Sequence, residues 1–168
     1  MVELNKRPLA PRDLLIRVTD RAGLEESIRH PLNPNSELHG VALSRRTGLA
    51  RLGANLLRVP PNKESYALHV HAVEEEWLYV LSGRGVAEIG DEAFEVAPGD
   101  FIGFPAGLHA HLMRNPHNED LTYLSGGEIL RVDVVDFPRA ERRLVQVGRD
   151  LKLYPASQGK PLFHSSDK

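Results

Sequence analysis

The amino-acid sequence predicts an all-β chain built as an antiparallel sandwich or barrel. Three observations carry that prediction. Short apolar or alternating runs recur at 41–43, 52–59, 66–71, 77–81, 86–89, 93–96, 101–104, 110–113 and 121–124. Turn-forming clusters separate them, among them Pro60-Pro61-Asn62, Ser82-Gly83 and Pro98-Gly99-Asp100. Gly90-Asp91 stands between two strand-like runs, the signal of a two-residue hairpin loop. Many short strands with frequent turns close into sandwiches or barrels.

The elements follow in order. Residues 1–37 read as an N-terminal arm interrupted by Pro8, Pro11, Pro31 and Pro34, with a turn at Asn33-Pro34-Asn35. Within it, Asp20 is placed to cap a short helix reaching Ile28. Residues 38–135 form the barrel. Residues 136–168 form a C-terminal extension that packs on the barrel or on a partner subunit. There, 139–147 mixes charge with aliphatics and suits a short helix or an edge strand, and the final residues are expected to fray. Arm and extension are long for decoration, which points to a homodimer.

At 168 residues the chain has room for one well-cored domain and not for two. Folding a chain of this size buries roughly 70% of the unfolded surface, so a core forms without staples. Lys and Arg number 21 against 23 Asp and Glu, a net charge of -2. A nucleic-acid binder needs a basic face, and a polybasic membrane binder a basic cluster, so both classes are excluded. There are no cysteines. Disulfides, thiolate nucleophiles and Cys-bound zinc fall away, and any metal must be held by nitrogen and oxygen. The first residues lack an apolar core of signal-peptide length, and no apolar run approaches the ~18 residues of a membrane span. A cytoplasmic location is expected.

The eight histidines are unevenly spread, with His69 and His71 forming one pair and His109 and His111 another. In a strand, period-two geometry puts the His69 and His71 rings on one face and Val70 on the other. The glutamates 74–76 then lead into a second strand, in which Glu76, Leu78 and Val80 share a face opposite Trp77, Tyr79 and Leu81. Two imidazoles and a carboxylate make an N/N/O set, with a fourth ligand available from His109 or His111. Such a set suits one divalent transition metal (Fe, Mn, Ni, Co, Cu or Zn) with positions left open for substrate or water. Strand alternation turns Glu75 away, and Glu74 and Glu75 read as solvated turn residues. Trp77 and Tyr79 are expected between the sheets or in a subunit interface. His30, His39, His117 and His164 stand alone in loop-like sequence and read as surface.

At these residues the chain resembles the cupin superfamily. His69-x-His71, four residues, Glu76, six residues and Gly83 look like the first cupin motif. Gly99, five residues, Pro105-x-Gly107, then His111, three residues and Asn115 look like the second. Two positions depart from the pattern. Lys63 stands where a glycine often opens the first motif. The family places two residues between glycine and histidine in the second, whereas His109 follows Gly107 after one and His111 after three. The interval to Asn115 favours His111, with the extra residue absorbed in the loop after Gly107. The segment 132–138 is similar to that of small single-domain bacterial cupins, some of which carry a sugar-phosphate isomerase label. The resemblance implies a double-stranded β-helix, a jelly-roll barrel holding metal on His69, His71, Glu76 and His111. His109, on the same face as His111, reads either as a residue behind the ligands or against the substrate, or as an idle histidine at the pocket rim. The resemblance implies a small-molecule ligand or substrate but no particular reaction, because the fold hosts many. An isomerase of sugar or sugar-phosphate type, a dioxygenase and a non-catalytic sensor all suit that donor set.

Overall fold

The computed structural model describes residues 8–159. Its strands are β1 (Glu26–Ile28), β2 (Leu38–Ala42), β3 (Leu52–Val59), β4 (Lys63–Glu64), β5 (Val70–His71), β6 (Glu76–Ser82) and β7 (Gly85–Ile89), then β8 (Glu92–Val96), β9 (Phe101–Phe104), β10 (His111–Asn115), β11 (Leu121–Glu128), β12 (Val132–Phe137), β13 (Arg142–Val147) and β14 (Asp150–Pro155). They form a six-stranded sheet ordered β1-β2-β3-β11-β6-β9, a four-stranded sheet ordered β4-β10-β7-β8, and a second four-stranded sheet ordered β14-β13-β12-β5. All strand pairs are antiparallel. Among the described residues no helix is long and apolar enough to cross a membrane.

The alternation seen along each run becomes the core. Leu78 and Val80 of β6 are buried while Tyr79 and Leu81 are exposed. Leu57 and Val59 of β3, Leu121 and Tyr123 of β11, Met113 of β10 and Ala87 of β7 meet them in one apolar cluster. Gly90 opens the β7–β8 loop with a φ of 60°, and Ile89 pairs with Glu92 across it. The hairpin loop is thus the predicted one, since two-residue loops need a positive φ at their first position. Trp77 and Tyr79 lie on the outer face of the six-stranded sheet, where Trp77 stacks on Phe101 with ring centroids 6.1 Å apart. Gly126, directly across from Trp77, lets that ring lie flat, because a Cβ there would stand 2.2 Å from Trp77 Cζ2.

Three local expectations are revised. The helix placed over 20–28 is instead a 3-10 segment, Val18–Gly23, followed by β1, which extends the six-stranded sheet at its edge. Too few apolar residues repeat at helical spacing there, and pairing with β2 satisfies the backbone instead. The 66–71 run is strand only at Val70–His71, with His69 bridged separately to β10. The 139–147 run, expected as a short helix or an edge strand, is an inner strand: β13 is paired on both sides, between β12 and β14.

Ion pairs tie the arm to the barrel and brace the C-terminal extension. Arg58 of β3 reaches Glu25 in the arm and Asp120 in the β10–β11 loop, both at 3.0 Å. Arg143 donates two 2.7 Å bonds to Asp136 across β12 and β13. The hydrogen bonds from Arg143 hold the Asp136 carboxyl below its ordinary value. Those from Arg58 do the same for Glu25. A carboxyl whose folded pKa lies below its unfolded value of ~3.9–4.3 stabilises the fold above that range, and the contribution fades as pH falls through the folded value. Both pairs are partly exposed, so each contributes about 0.5 kcal/mol or less. Arg143→Ala should therefore melt slightly below wild type at pH 7, with the gap closing as the pH is lowered below the ordinary carboxylate range, followed by circular dichroism. A deficit that does not shrink with falling pH would assign the effect to lost packing of the arginine stem.

Candidate metal centre

The inward face of the barrel changes character at one end. Along β6 the inward positions run Val80, Leu78, Glu76, and along β10 they run Met113, His111. The apolar core thus gives way to a carboxylate and an imidazole in the same registers. His69 joins them through an antiparallel bridge to His111. The His69 N–H donates to the His111 carbonyl at 3.2 Å, and the His111 N–H donates back at 2.8 Å. A pair that exchanges both bonds projects its side chains to the same side. The two rings accordingly lie with centroids 4.5 Å apart.

His71 is held from the opposite side. It pairs with Val135 of β12, and Val70 with Asp136. The Ala72 N–H donates to the Val134 carbonyl at 2.8 Å, and the Gly107 N–H donates to the His71 carbonyl at 2.7 Å. Between His69 and His71 the backbone changes sheets, and both rings are delivered to Glu76. Glu76 Oε2 stands 3.6 Å from His69 Nε2, 3.7 Å from His71 Nε2 and 3.1 Å from His111 Nε2. The His111 ring is fixed by stacking on Phe104, with centroids 3.6 Å apart and planes 7° from parallel.

Hydrogen bonds on the far ring nitrogens set the tautomers. His69 Nδ1 lies 2.8 Å from the Ala67 carbonyl, and His71 Nδ1 lies 2.5 Å from Asp133 Oδ2. Carbonyls and carboxylates only accept, so Nδ1 carries the proton in both rings and Nε2 keeps its lone pair facing Glu76. Burial alone would raise the Glu76 carboxyl. The hydrogen bond with His111 and the neighbouring rings of His69 and His71 outweigh it and hold Glu76 well below the usual carboxylate range. Burial pushes the His111 imidazole down, against the pull of Glu76. An ionised carboxylate and neutral imidazoles are the forms that ligate a metal.

The distances fit an ion. Donors ~2.0–2.2 Å from one metal stand ~3.0 Å apart at octahedral angles and ~3.4 Å at tetrahedral ones. The observed separations around Glu76 Oε2 run from 3.1 Å, close to the octahedral value, to 3.6 and 3.7 Å, slightly beyond the tetrahedral one. His69, Glu76 and His111 form a group that could hold a metal ion, with donor atoms all within 4.8 Å of one another. The narrow cleft above them is lined by His71, Glu74, Glu76, Phe104, His109 and His111, among others.

The expected residues distribute as follows. His69, Glu76 and His111 come together in one candidate group, whereas His71, its Nε2 3.7 Å from Glu76 Oε2, groups with Glu74 and Asp133. His109 precedes β10, is exposed, and borders the cleft. Glu75 is exposed. Glu74 departs from the solvated reading. Its side chain is 14% exposed, faces the cleft, and accepts the Leu130 N–H at 2.7 Å. Burial raises its carboxyl above the ordinary value, against that bond. His30 also departs from the surface reading, because it packs between Tyr66 and Phe137. His39 and His117 are half-buried, and His164 lies outside the described residues. Asp133, buried to 1% exposure, was not among the candidates. Its one sequence signal is a charge in the inward register of β12, in line with Val135 and Phe137.

Residues 55–127 match the family model described as a cupin domain. Over 78 residues the chain is 36% identical to an uncharacterized protein of Methanocaldococcus jannaschii, a match covering 46% of this chain and 54% of that one. The chain thus spans about half the length of that curated relative. A crystal structure called "Putative sugar phosphate isomerase", from Acidithiobacillus ferrooxidans, is 34% identical, covers 92% of this chain and 100% of its own, and superposes with a TM-score of 0.87. A cupin-superfamily sugar phosphate isomerase of Silicibacter pomeroyi shares the fold at 23% identity and a TM-score of 0.72, over 83% of this chain and 90% of its own. The motif spacing, the barrel and a full-length relative at this identity agree: the chain belongs to the cupin superfamily.

Proposed function

We propose that the chain is a metal-dependent cupin whose ion is held by His69, His71, Glu76 and His111, and that it isomerises a small hydroxy-carbonyl compound of the sugar type. The observation that carries the reading is the convergence of three imidazole Nε2 atoms within 3.1 to 3.7 Å of one carboxylate oxygen. The name carried by the Acidithiobacillus relative supports the reaction class. A bound divalent ion supplies Lewis acidity toward a carbonyl oxygen. The chain's own residues do the rest. Glu74 faces the same cleft outside the donor set, in a place to take a proton from a substrate carbon and return it to the neighbouring one. Phe104 walls the cleft, and His109 at its mouth meets the part of the substrate that projects outward. No Lys or Arg is among the described residues lining the cleft. That absence limits the reading to the hydroxy-carbonyl portion of the substrate. It is also what favours the second reading, a non-catalytic module that takes up a small ligand over the metal.

Metal content tests the donor set. Glu76→Gln should lose most of its metal, because an amide is a far weaker ligand than a carboxylate, while Glu75→Gln stays near wild type. Likewise His111→Ala should lose metal and His109→Ala keep it, measured by elemental analysis of protein purified without added metal. Equal losses within either pair would put the register wrong. In the same analysis, zinc or manganese favours isomerase chemistry, and iron favours a dioxygenase on the same donors.

Turnover separates enzyme from sensor. Glu74→Gln should retain metal and lower isomerisation of a small aldose or ketose by roughly 10²–10⁴-fold, the usual contribution of a general acid–base group. Wild-type protein that is metal-loaded, binds such a sugar by calorimetry, and turns none over would establish the sensor instead.

A further inference from the structure

Behind His71 lies a carboxylate that neither the cupin motifs nor the matched segment 55–127 contains. Asp133 sits on β12 and is 1% exposed. Its Oδ2 lies 2.5 Å from His71 Nδ1, and its Oδ1 accepts the Val73 N–H at 3.1 Å. Two interpretations compete for this arrangement. Glu74, Asp133 and His71 together have the composition of a second cation site. The separation decides against it. Two donors sharing one ion stand ~3 Å or more apart, whereas 2.5 Å is the length of a short, charge-assisted hydrogen bond.

We infer that Asp133 is a positioning residue for the metal centre. Through its hydrogen bond it fixes the proton of His71 on Nδ1 and the ring orientation, so that Nε2 presents a lone pair toward Glu76. The inference rests on the reading of His71 as a ligand. It adds that the C-terminal sheet, not the barrel alone, sets the metal affinity. Both oxygens of Asp133 already have a fixed donor, Val73 N–H on one and His71 Nδ1–H on the other. An amide in its place has a single acceptor oxygen. The Val73 N–H cannot change its proton, but the imidazole can. The oxygen therefore stays with Val73, the amide NH₂ points at His71 Nδ1, and the ring proton moves to Nε2, which can then no longer ligate.

The experiment uses the full chain and two readouts. Long-range ¹H–¹⁵N correlation spectra of the metal-free protein report which ring nitrogen of His71 carries the proton. Titration with Co²⁺ reports affinity. We expect Nδ1–H in wild type and Nε2–H in Asp133→Asn, with Co²⁺ affinity about 10–100-fold weaker in the variant, the usual effect of losing such a partner. Arg143→Ala, which removes an ion pair from the outer face of the same sheet, should leave both readouts at wild type. An equal loss of affinity in Arg143→Ala would reduce Asp133 to general sheet stability and overturn the inference. So would an unchanged tautomer or an unchanged affinity in Asp133→Asn. If that variant does not fold, the wild-type spectrum decides, because Nε2–H on His71 there would also overturn it. Wild-type protein that takes up no Co²⁺ would instead sink the metal reading itself, and the affinity role inferred for Asp133 with it.

Discussion

His69 and His71 sit on a stretch of backbone claimed by two sheets at once, and the geometry of the site depends on that division. A two-residue strand is far below the length that sustains a ladder, so β5 has little conformation of its own. It is fixed because His69 is bonded to β10 on one side and His71 to β12 on the other. The first bond pair sets His69 beside His111, and the second turns His71 toward the same carboxylate from the opposite flank. A slip of one residue in either pairing would send one ring to the wrong face. The site therefore inherits its precision from backbone hydrogen bonds rather than from the side chains themselves.

A carboxylate partly withdrawn from water, as Glu76 is, needs compensation, since desolvating a charge without a partner is costly. Its neighbours supply it, with the His111 hydrogen bond at 3.1 Å and the polar rings of His69 and His71 beside it. The registers explain why this end of the barrel differs from the rest. Glu76 and His111 occupy the next inward positions after Leu78 and Met113, where the apolar cluster stops and the cleft begins. One further layer of leucine and valine would have closed the barrel. Polar donors there keep the end open and leave one carboxylate with three imidazoles, a set of formal charge -1 when the imidazoles are neutral. A divalent ion on such a set keeps a net positive charge to polarise an oxygen.

Much of this was legible in the sequence because it is periodic. Alternation along 76–80 placed Glu76 with Leu78 and Val80, and the turn residues marked the strands. Alternation could not separate His109 from His111, since two residues apart means one face. What separates them is where β10 begins: His109 precedes the strand, and only His111 is bridged to His69. Glu74 was hidden in a run of three glutamates, whose local pattern resembles any solvated turn. Its burial comes from the Leu130 N–H, 56 residues away. Asp133 is 62 residues from His71, a separation that no local spacing encodes. The arm was misread over 20–28 because one good N-cap does not make a helix without an apolar stripe to bury.

The C-terminal segment earns its place through contacts with the site rather than through its own core. Its apolar cluster is small: Ala67, Val135 and Phe137, with Leu32, Ala140 and Leu144 against them. Leu151 and Leu153 of β14 remain largely exposed, so the outer strands add little burial. Yet β12 backs both histidines of the first motif. Phe137 stacks behind His69 with centroids 6.2 Å apart, and Asp133 bonds His71. A cupin barrel ending at residue 127 would keep all four candidate ligands and lose what orients two of them. Within a superfamily that reuses one barrel for many reactions, strands added outside the shared motifs are one place where a chain can tune its metal centre without altering the ligands.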